Sequence, residues 1–326
     1  MTDLRIGVLG AARITPMALV RPAARVPGAV VAAVAARDPE RAAKYARKHG
    51  IEKVHTTYDD VLSDDSIDAI YNPLPNALHA EWTLKALDAG KHVLCEKPFT
   101  SNEAEAKTVA DAAKKSGLVV MEAYHYRYHP LAERMRAVVH GGQLGDIQHV
   151  SVSMYIPLPK FSDIRYNYAL GGGTSMDCCY AIHVLRLLGA GEPKVESAAA
   201  LLRTPDIDRA MSAKYSFADG STGATSTSMW SRKLLNFSAT AIGTRGRMGV
   251  FNYIAPQYYN RLTLTVDGKK TSERVRGEAT YDYQLKAFIA AVREGGPVLT
   301  TPDDAILTMR VIDDVYRKAG LPLRGQ

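Results

Sequence analysis

The stretch of sequence that decides the fold is LRIGVLGAARIT, residues 4–15. It begins with an apolar run typical of a buried strand, passes through a glycine turn and enters a helical pattern that extends to about Val26. In this context a partial match to G-x-G-x-x-G indicates a dinucleotide site, with Gly10 as the first glycine and Ala12 and Thr15 at the other two positions. The methyl group of Ala12 still allows backbone N–H groups near the helix start to face a pyrophosphate. The candidate cofactor contacts in this turn are Gly10, Ala11, Ala12, Arg13 and Ile14.

The second strand, Val30 to Ala35, ends where a dinucleotide site distinguishes NAD(H) from NADP(H). Ala36 lacks the carboxylate that would accept from a ribose 2′-OH, and Asp38 before Pro39 is predicted to cap the following helix. Arg37 is therefore available to a 2′-phosphate as a planar, bidentate donor. Ala36 and Arg37 join the cofactor candidates, with NADP(H) preferred and NAD(H) as the second choice. The alternative is an exposed arginine beside a helix cap.

Two further turns follow predicted strands of the same sheet. Glu96-Lys97-Pro98 comes directly after the apolar run 92–95, and Asn72-Pro73-Leu74-Pro75-Asn76 follows the run 69–71. Ligands of open α/β sheets bind outside the carboxyl ends of the strands, where a partly desolvated lysine can exchange a proton near neutral pH. Lys97 is thus a candidate proton donor or acceptor, and turn 72–76 is a candidate wall beside the nicotinamide ribose. The alternatives are a solvated loop for the first turn and a stiff loop for the second.

Strand and helix patterns alternate up to about residue 122, which predicts an α/β domain with a doubly wound parallel sheet. Beyond it, strand-like runs bounded by turn signals such as Asp219-Gly220 predict a mostly antiparallel sheet. The triple glycine at 171–173 leads into a helix predicted over about 174–188, and two helices close the chain. We therefore expect two domains, residues 1–124 and 125–326, and the last helix is a candidate to pack back on the first.

The composition narrows the function classes. The 326 residues are 46% hydrophobic and 23% charged, as in globular chains, and no run approaches the roughly 20 apolar residues of a membrane span. The three cysteines do not resemble a disulfide framework and the start of the chain has no secretory signal pattern, so we expect a cytoplasmic location. The formal charge of +7 is spread along the chain, which disfavours nucleic acid and suits a phosphorylated cofactor. No metal site is predicted.

Several motifs together resemble the Gfo/Idh/MocA oxidoreductase family over nearly the whole chain. They are GVLGAA at 7–12, NPLPNALH at 72–79, GKHVLCEKP at 90–98, MEAY at 121–124 with His129-Pro130, and GGG at 171–173 with Met176-Asp177. The resemblance implies a Rossmann domain and a C-terminal α/β domain whose large open sheet commonly forms the interface of a homodimer or homotetramer. The segment DIRY at 163–166 is similar to the branch of sugar 3-ketoreductases, NADP-dependent aldose dehydrogenases and dihydrodiol dehydrogenases.

The resemblance assigns catalytic roles to individual residues. The family's catalytic lysine corresponds to Lys97, and the acid/base tyrosine of this branch corresponds to Tyr180. The family places three residues between its helix aspartate and this tyrosine, but only two separate Asp177 from Tyr180. One residue is about 100° of helix rotation, so a local adjustment is required. We therefore prefer Tyr180 to Asp177 and keep His183 as a substitute, with a core or supporting role as its alternative. Cys178 and Cys179 are expected to be small core residues.

Polar aromatic residues near the predicted domain boundary suit sugar recognition, although a hinge packed by tyrosines is the alternative. The candidate substrate contacts are Tyr124, Arg127, His129, Tyr180 and His183. The other cofactor candidates that the resemblance implies are Asn72, Pro73, Leu74, Pro75, Asn76, His79, Glu96, Lys97 and Arg165. We expect hydride transfer between NADP(H) and a carbinol or carbonyl group of a sugar or polyol, with Lys97 and Tyr180 transferring the proton. The alternatives are a dinucleotide-binding regulator or scaffold without turnover and a redox-assisted glycosidase.

Overall fold

The computed structural model describes residues 2–231 and 235–325, and these form two compact units. The first unit comprises the chain up to Thr100, Ala104–His125 and Tyr281–Ile306. The second comprises Ser101–Glu103, Tyr126–Thr280 and the chain from Leu307 onward. Across the described ranges, no helix combines the length and the apolar character that a bilayer span requires.

The first unit is built on a six-stranded parallel sheet. Its strands are β1 (Leu4–Leu9), β2 (Ala29–Ala35), β3 (Lys53–His55), β4 (Ala69–Asn72), β5 (His92–Cys95) and β6 (Val120–Glu122). Their order is β3-β2-β1-β4-β5-β6, and every neighbouring pair is parallel, which confirms the predicted doubly wound α/β sheet. The order reverses between β1 and β4, the position where ligands bind in such sheets.

Helices follow the strands of this sheet. They are a π-helical turn (Pro16–Val20), α1 (Arg21–Ala23), α2 (Pro39–His49), α3 (Tyr58–Leu62), α4 (His79–Asp88) and α5 (Glu103–Ser116). The first helical stretch has two parts, and its hydrogen bonding reaches the predicted end near Val26, since the N–H of Val26 donates to the carbonyl of Pro22 at 2.8 Å. The start of α2 is as predicted, since the Asp38 carboxylate accepts from the backbone N–H groups of Glu40 at 3.0 Å and Arg41 at 3.2 Å.

The second unit is built on an eight-stranded sheet. Its strands are β7 (Ile147–Tyr155), β8 (Lys194–Thr204), β9 (Ile207–Ser216), β10 (Thr222–Ser228), β11 (Asn236–Gly243), β12 (Gly246–Phe251), β13 (Arg261–Val266) and β14 (Lys269–Glu273). Their order is β14-β13-β12-β11-β7-β10-β9-β8, and all pairs are antiparallel except β7 with β10, which confirms the prediction of a mostly antiparallel sheet. The remaining helices are α6 (Pro130–His140), α7 (Thr174–Asp177), α8 (Tyr180–Leu188), α9 (Thr280–Glu294) and α10 (Pro302–Lys318).

The two faces of the eight-stranded sheet differ in character. On one face Met211, Ala213 and Tyr215 are buried, and α8 packs on β7 and β10. On the other, which we call the outer face, the strand register places small side chains side by side across five strands. These are Ala199, Ser212, Ser226, Ser153 and Ser238.

Candidate functional site

The glycine turn after β1 has the geometry of a dinucleotide site. Gly10 has a φ of +94°, which glycine tolerates best, and its N–H donates to the carbonyl of Ala35 at 2.7 Å. A Cβ on Gly10 would lie 3.3 Å from the Leu74 side chain. Ala11 is buried, whereas Ala12, Arg13 and Ile14 keep accessible surface. The turn is therefore small and accessible where a pyrophosphate would approach.

Two arginines lie beside this turn. Arg37 is exposed just after the end of β2, and Arg41 on α2 donates through Nη2 to the carbonyl of Ala11 at 2.8 Å. Both guanidinium groups lie near the hydroxyl of Tyr58: burial raises the pKa of Tyr58, and the charges of Arg37 and Arg41 oppose this effect. The sequence analysis missed Arg41 and Tyr58. Arg41 could have been identified from the sequence, because it lies four residues after Arg37, near the start of α2.

Ala36 has a packing role that the sequence did not reveal. Its side chain is only 6% exposed and packs with Ala11 and Ala42, beside Tyr45. A larger or charged side chain at this position would enter a closed apolar cluster. The position of Ala36 is therefore closed to a side chain that would reach a cofactor.

Buried polar residues join the turns after β4 and β5. The imidazole of His79 is fully buried, and its two nitrogens lie 2.8 Å from the carbonyl oxygens of Leu74 and Pro98. Burial lowers the pKa of His79 to about 4, against the effect of the two carbonyls. The amide of Asn72, also without exposed surface, donates to the carbonyl of His79 at 3.2 Å. Both side chains thus support the turns, and their direct contact with a cofactor stays a prediction.

Lys97 lies half-buried in the turn after β5. The preceding Glu96 accepts from the hydroxyl of Tyr71 at 2.7 Å, and its N–H donates to the carbonyl of Asn72, which fixes the backbone next to the lysine. The positive charge of Lys97 acts on a neighbouring imidazole: burial and, to a smaller extent, the charge of Lys97 together lower the pKa of His125 to about 3. The side chain of Lys97 therefore carries its charge among buried, neutral histidines at the carboxyl end of the sheet.

In the second unit, the predicted helix 174–188 is divided into two. α7 ends at Asp177, α8 begins at Tyr180, and Cys178 leaves helical geometry with φ −94° and ψ 25°. The prediction of one continuous helix is therefore wrong. The break accommodates the short spacing between Asp177 and Tyr180. Cys178 and Cys179 have no exposed surface, as expected of small core residues.

Tyr180 lies at the start of α8 in a cluster of buried aromatic rings. The centroid of its ring is 5.8 Å from that of Tyr126, and the Tyr126 ring is 6.1 Å from that of Tyr253. The hydroxyl of Tyr126 is hydrogen-bonded to Nδ1 of His183. Tyr180 and His183 are each 4% exposed. The structure therefore brings both acid/base candidates together with Tyr126, a residue that the sequence analysis missed within its aromatic stretch.

Asp177 and Arg165 form an ion pair. Nε of Arg165 donates to Asp177 at 2.9 Å, and Nη1 donates at 3.0 Å to Asp163, whose carboxylate also accepts from the Arg165 backbone N–H. Asp177 and then Asp163 raise the pKa of Arg165 against the effect of burial. Asp177 is thus held by an arginine, which fits a structural role better than the catalytic role considered from the sequence.

The predicted substrate contacts differ in accessibility. Tyr124 has no exposed surface and His129 is 1% exposed, whereas Arg127 keeps accessible surface. His129 caps α6, because its Nδ1 accepts from the backbone N–H of Leu131 at 3.0 Å, and burial lowers the pKa of His129 to about 4. His129 therefore has a capping role, and its contact with a substrate stays a prediction.

Protein-family models and known proteins match this chain in sequence and in structure. A model described as "Oxidoreductase family, NAD-binding Rossmann fold" matches residues 4–124, and one described as "GFO/IDH/MocA C-terminal domain" matches residues 132–249. The D-xylose 1-dehydrogenase (NADP(+)) 2 of Haloferax volcanii is 34% identical over 97% of both chains. The dTDP-3,4-didehydro-2,6-dideoxy-alpha-D-glucose 3-reductase of Actinomadura kijaniata is 29% identical over 96% of this chain and 94% of its own. A 3-ketoreductase from the same organism, solved with NADP and TDP-benzene, matches with a TM-score of 0.90 at 27% identity, over 97% of this chain and 98% of that one.

Proposed function

The chain belongs to the GFO/IDH/MocA oxidoreductase family, and we propose that it transfers a hydride between NADP(H) and a carbinol or carbonyl group of a sugar or related polyol. It is an NAD(P)-dependent oxidoreductase with NADP(H) as its preferred cofactor. Relatives named for D-xylose and for a dTDP-linked deoxy sugar support a sugar substrate.

The observation that carries this proposal is the glycine turn with its two guanidinium groups. Gly10 adopts a positive φ, Ala12 to Ile14 are accessible, and Arg37 and Arg41 lie beside the turn. Backbone N–H groups at such a turn suit a pyrophosphate, and planar guanidinium groups suit a 2′-phosphate. The residues present therefore fit an NADP(H) molecule. When bound, the nicotinamide gives a hydride to the substrate carbon or accepts one from it.

In the proposed mechanism Tyr180 and Lys97 move the proton that accompanies the hydride. In the direction of carbonyl reduction, the Tyr180 hydroxyl donates its proton to the substrate oxygen; in oxidation it takes that proton back. The ammonium group of Lys97 stabilises the negative charge that develops on the substrate oxygen and on the tyrosine. His183, hydrogen-bonded to Tyr126, is the second acid/base candidate.

Arg37→Ala should raise the Kd for NADPH by about 10- to 100-fold and leave the Kd for NADH nearly unchanged. The lost contact is a charge-assisted hydrogen bond, about 1.5–3 kcal/mol, and about 1.4 kcal/mol corresponds to a tenfold change. Nicotinamide fluorescence titration with both cofactors measures the effect. Arg47→Ala, at the exposed last turn of α2, is the matched control.

The same titration tests the native protein. Equal affinities for NADPH and NADH would contradict the assignment of Arg37 to the 2′-phosphate. Ala36→Asp is a poorer test of cofactor choice, because a carboxylate at the buried position of Ala36 would disturb its packing with Ala11 and Ala42 and thereby change stability.

Turnover on a panel of free aldoses, including D-xylose and D-glucose, and of dTDP-linked hexoses tests the proposed reaction. We expect NADPH- or NADP+-dependent absorbance changes with at least one member of the panel. NADPH binding without turnover on any member would favour the regulator or scaffold alternative. Aryl glycosides, assayed separately, test the glycosidase alternative: release of free sugar without net change of nicotinamide absorbance would favour it.

We further propose that the outer face of the eight-stranded sheet forms the interface of a homodimer or homotetramer. The face carries small side chains across five strands, which allow another flat surface to approach closely. At its borders Leu201 is 58% exposed and Phe251 is 46% exposed. Ser212, in the row of small residues, is itself exposed in the single chain. Large apolar side chains around a flat patch are typical of subunit interfaces.

Ser212→Arg should dissociate this assembly. A long charged side chain in the middle of the row would hold the two faces apart and be buried without a partner. Size-exclusion chromatography with light scattering should show a fall to the 35.5 kDa of one chain. Thr56→Arg, at an exposed position of the first unit, is the control and should keep the native mass. A native mass for Ser212→Arg would contradict this interface.

A further inference from the structure

The triple-glycine turn, residues 171–173, is enclosed by side chains from distant parts of the second unit. Gly173 has a φ of +129°, a conformation that side chains rarely adopt. A Cβ on Gly173 would lie 2.6 Å from the hydroxyl of Tyr316 and 2.8 Å from Nη2 of Arg324. The enclosure therefore has room for the glycine backbone alone, and it holds the turn that precedes the helix of Tyr180.

Arg324, which follows the last helix, is the centre of this enclosure. It is fully buried, its Nε donates to the carbonyl of Gly172 at 2.6 Å, and its Nη2 donates to Asp208 at 3.1 Å. Its guanidinium carbon lies 4.1 Å from the ring centroid of Tyr316 and 5.0 Å from that of Tyr168. Arg324 thus bridges the backbone of the turn and a buried carboxylate between two aromatic rings.

Asp208 connects the same arginine to the first turn of α7. One of its oxygens accepts from both the N–H and the hydroxyl of Ser175 at 3.0 Å, and the other accepts from the Tyr316 hydroxyl at 3.2 Å. Asp208 has no exposed surface. Together Arg324 and Asp208 hold the turn on both sides: at the carbonyl of Gly172 and at Ser175.

The segment that contains Arg324 is itself anchored. The side-chain amide of Asn102 donates to the backbone carbonyl of Arg324 at 2.9 Å, and the hydroxyl of Tyr168 donates to the carbonyl of Leu323 at 2.6 Å. These two hydrogen bonds fix the backbone from which the Arg324 side chain extends. A side chain that positions another segment needs such a fixed backbone.

The triple-glycine turn is also hydrogen-bonded to the segment that contains Arg165. The N–H of Gly173 donates to the carbonyl of Arg165 at 2.8 Å, and the N–H of Gly172 donates to the carbonyl of Asn167 at 2.9 Å. The side chain of Arg165 in turn holds Asp177 at the end of α7. A displacement of the turn would therefore move Arg165 and the start of the helix that presents Tyr180.

We propose that Asp208 and Arg324 are positioning residues that clamp the triple-glycine turn and thereby place Tyr180 and Arg165 for the reaction. The inference rests on the proposed function, because it takes Tyr180 as the acid/base residue. Burying a pair of opposite charges has a desolvation cost, and apolar residues of similar size often give equal stability. A gain in stability therefore does not explain why Asp208 and Arg324 are buried as a charge pair, whereas their hold on the triple-glycine turn does.

The test is the double variant Asp208→Leu/Arg324→Met, which removes both charges and leaves neither uncompensated. We expect kcat/KM for the best sugar of the panel to fall about tenfold, because a misplacement of about 1 Å can cost up to about 10²-fold. The Kd for NADPH should stay within about twofold of the native value, since a tenfold loss would correspond to about 1.4 kcal/mol. Hydrogen exchange of the amides in residues 165–180 should be faster in the variant, whatever its activity. Circular dichroism and the melting temperature check that it is folded.

Two further variants separate positioning from stability. Arg324→Lys retains the charge near Asp208 but cannot reach Asp208 and Gly172 as a planar fork, so its activity should lie between those of the native protein and the double variant. Arg317→Met, which removes an exposed arginine of α10 paired with Asp314, should behave as the native protein. Native kcat/KM and native exchange in the double variant would overturn the clamp and leave the proposed function intact. Loss of the proposed function would instead appear as no turnover by the native protein, and the exchange measurement would still decide the clamp.

Discussion

Lys97→Ala should lower kcat by about 10²–10⁴, the usual contribution of a positioned proton-transfer group, while the Kd for NADPH changes little. Hydrogen bonds hold the turn that contains Lys97: Glu96 accepts from the hydroxyl of Tyr71, and the imidazole of His79 contacts the carbonyl of Pro98. The substitution should therefore leave the backbone in place. Steady-state kinetics with the best sugar of the panel, together with a fluorescence titration of NADPH, measures both effects.

The control for this prediction is Lys85→Ala, which removes an exposed lysine that pairs with Glu81 on α4 and should leave kcat unchanged. Lys97→Arg adds a second comparison, because arginine keeps the positive charge but does not lose its proton near neutral pH. If kcat recovers in Lys97→Arg, the role of Lys97 is electrostatic. If kcat stays low in Lys97→Arg, Lys97 takes part in proton transfer. Near-native turnover of a folded Lys97→Ala protein would refute the proposed mechanism.

Tyr180→Phe should also reduce kcat by about 10²–10⁴, because it removes the proposed donor hydroxyl. The phenylalanine ring keeps the packing against Tyr126, whose centroid is 5.8 Å away, so the fold of the aromatic cluster should persist. The measurement is kcat under saturating NADPH, with near-ultraviolet circular dichroism to check the cluster. KM for the sugar should change less than kcat, since the loss is made in the transition state.

Variants of the neighbouring residues test the choice between tyrosine and histidine. Tyr126→Phe removes the hydrogen bond to Nδ1 of His183 but keeps the ring, and it should have a smaller effect than Tyr180→Phe. If Tyr180→Phe were harmless and His183→Ala inactive, the acid/base role would pass to His183. Tyr180 and His183 both lie on α8, which begins just after the break at Cys178 and Cys179, so both variants are needed to assign the acid/base role.

Features with local causes were predictable from the sequence. The doubly wound sheet follows from alternating strand and helix patterns, and the start of α2 follows from Asp38 and Pro39, whose capping chemistry acts within three residues. Gly10 was identifiable because a turn between a strand and a helix needs its positive φ.

Features that depend on distant residues were not predictable. Arg324 meets Asp208 across 116 positions of the chain, and no local pattern announces such a pair. The backbone partners of His79 and His129, which make both side chains supports of neighbouring turns, likewise lie outside any local sequence pattern. The division of the helix at Cys178 was foreseeable only as a need for some adjustment, because side-chain packing decides where a helix with a shortened spacing breaks.

Both edge strands of the eight-stranded sheet carry exposed charged side chains. An open sheet ends in unpaired backbone groups that can recruit a strand from another molecule, which leads to fibres. The edge strand β14 is short and exposed throughout, and it bears Lys269, Lys270 and Glu273, whose charges resist burial against an incoming strand. At the opposite edge, β8 exposes Lys194 and Glu196. Charged side chains at both edges thus disfavour edge-on polymerisation, so the assembly proposed for the outer face would not grow through the edges of the sheet.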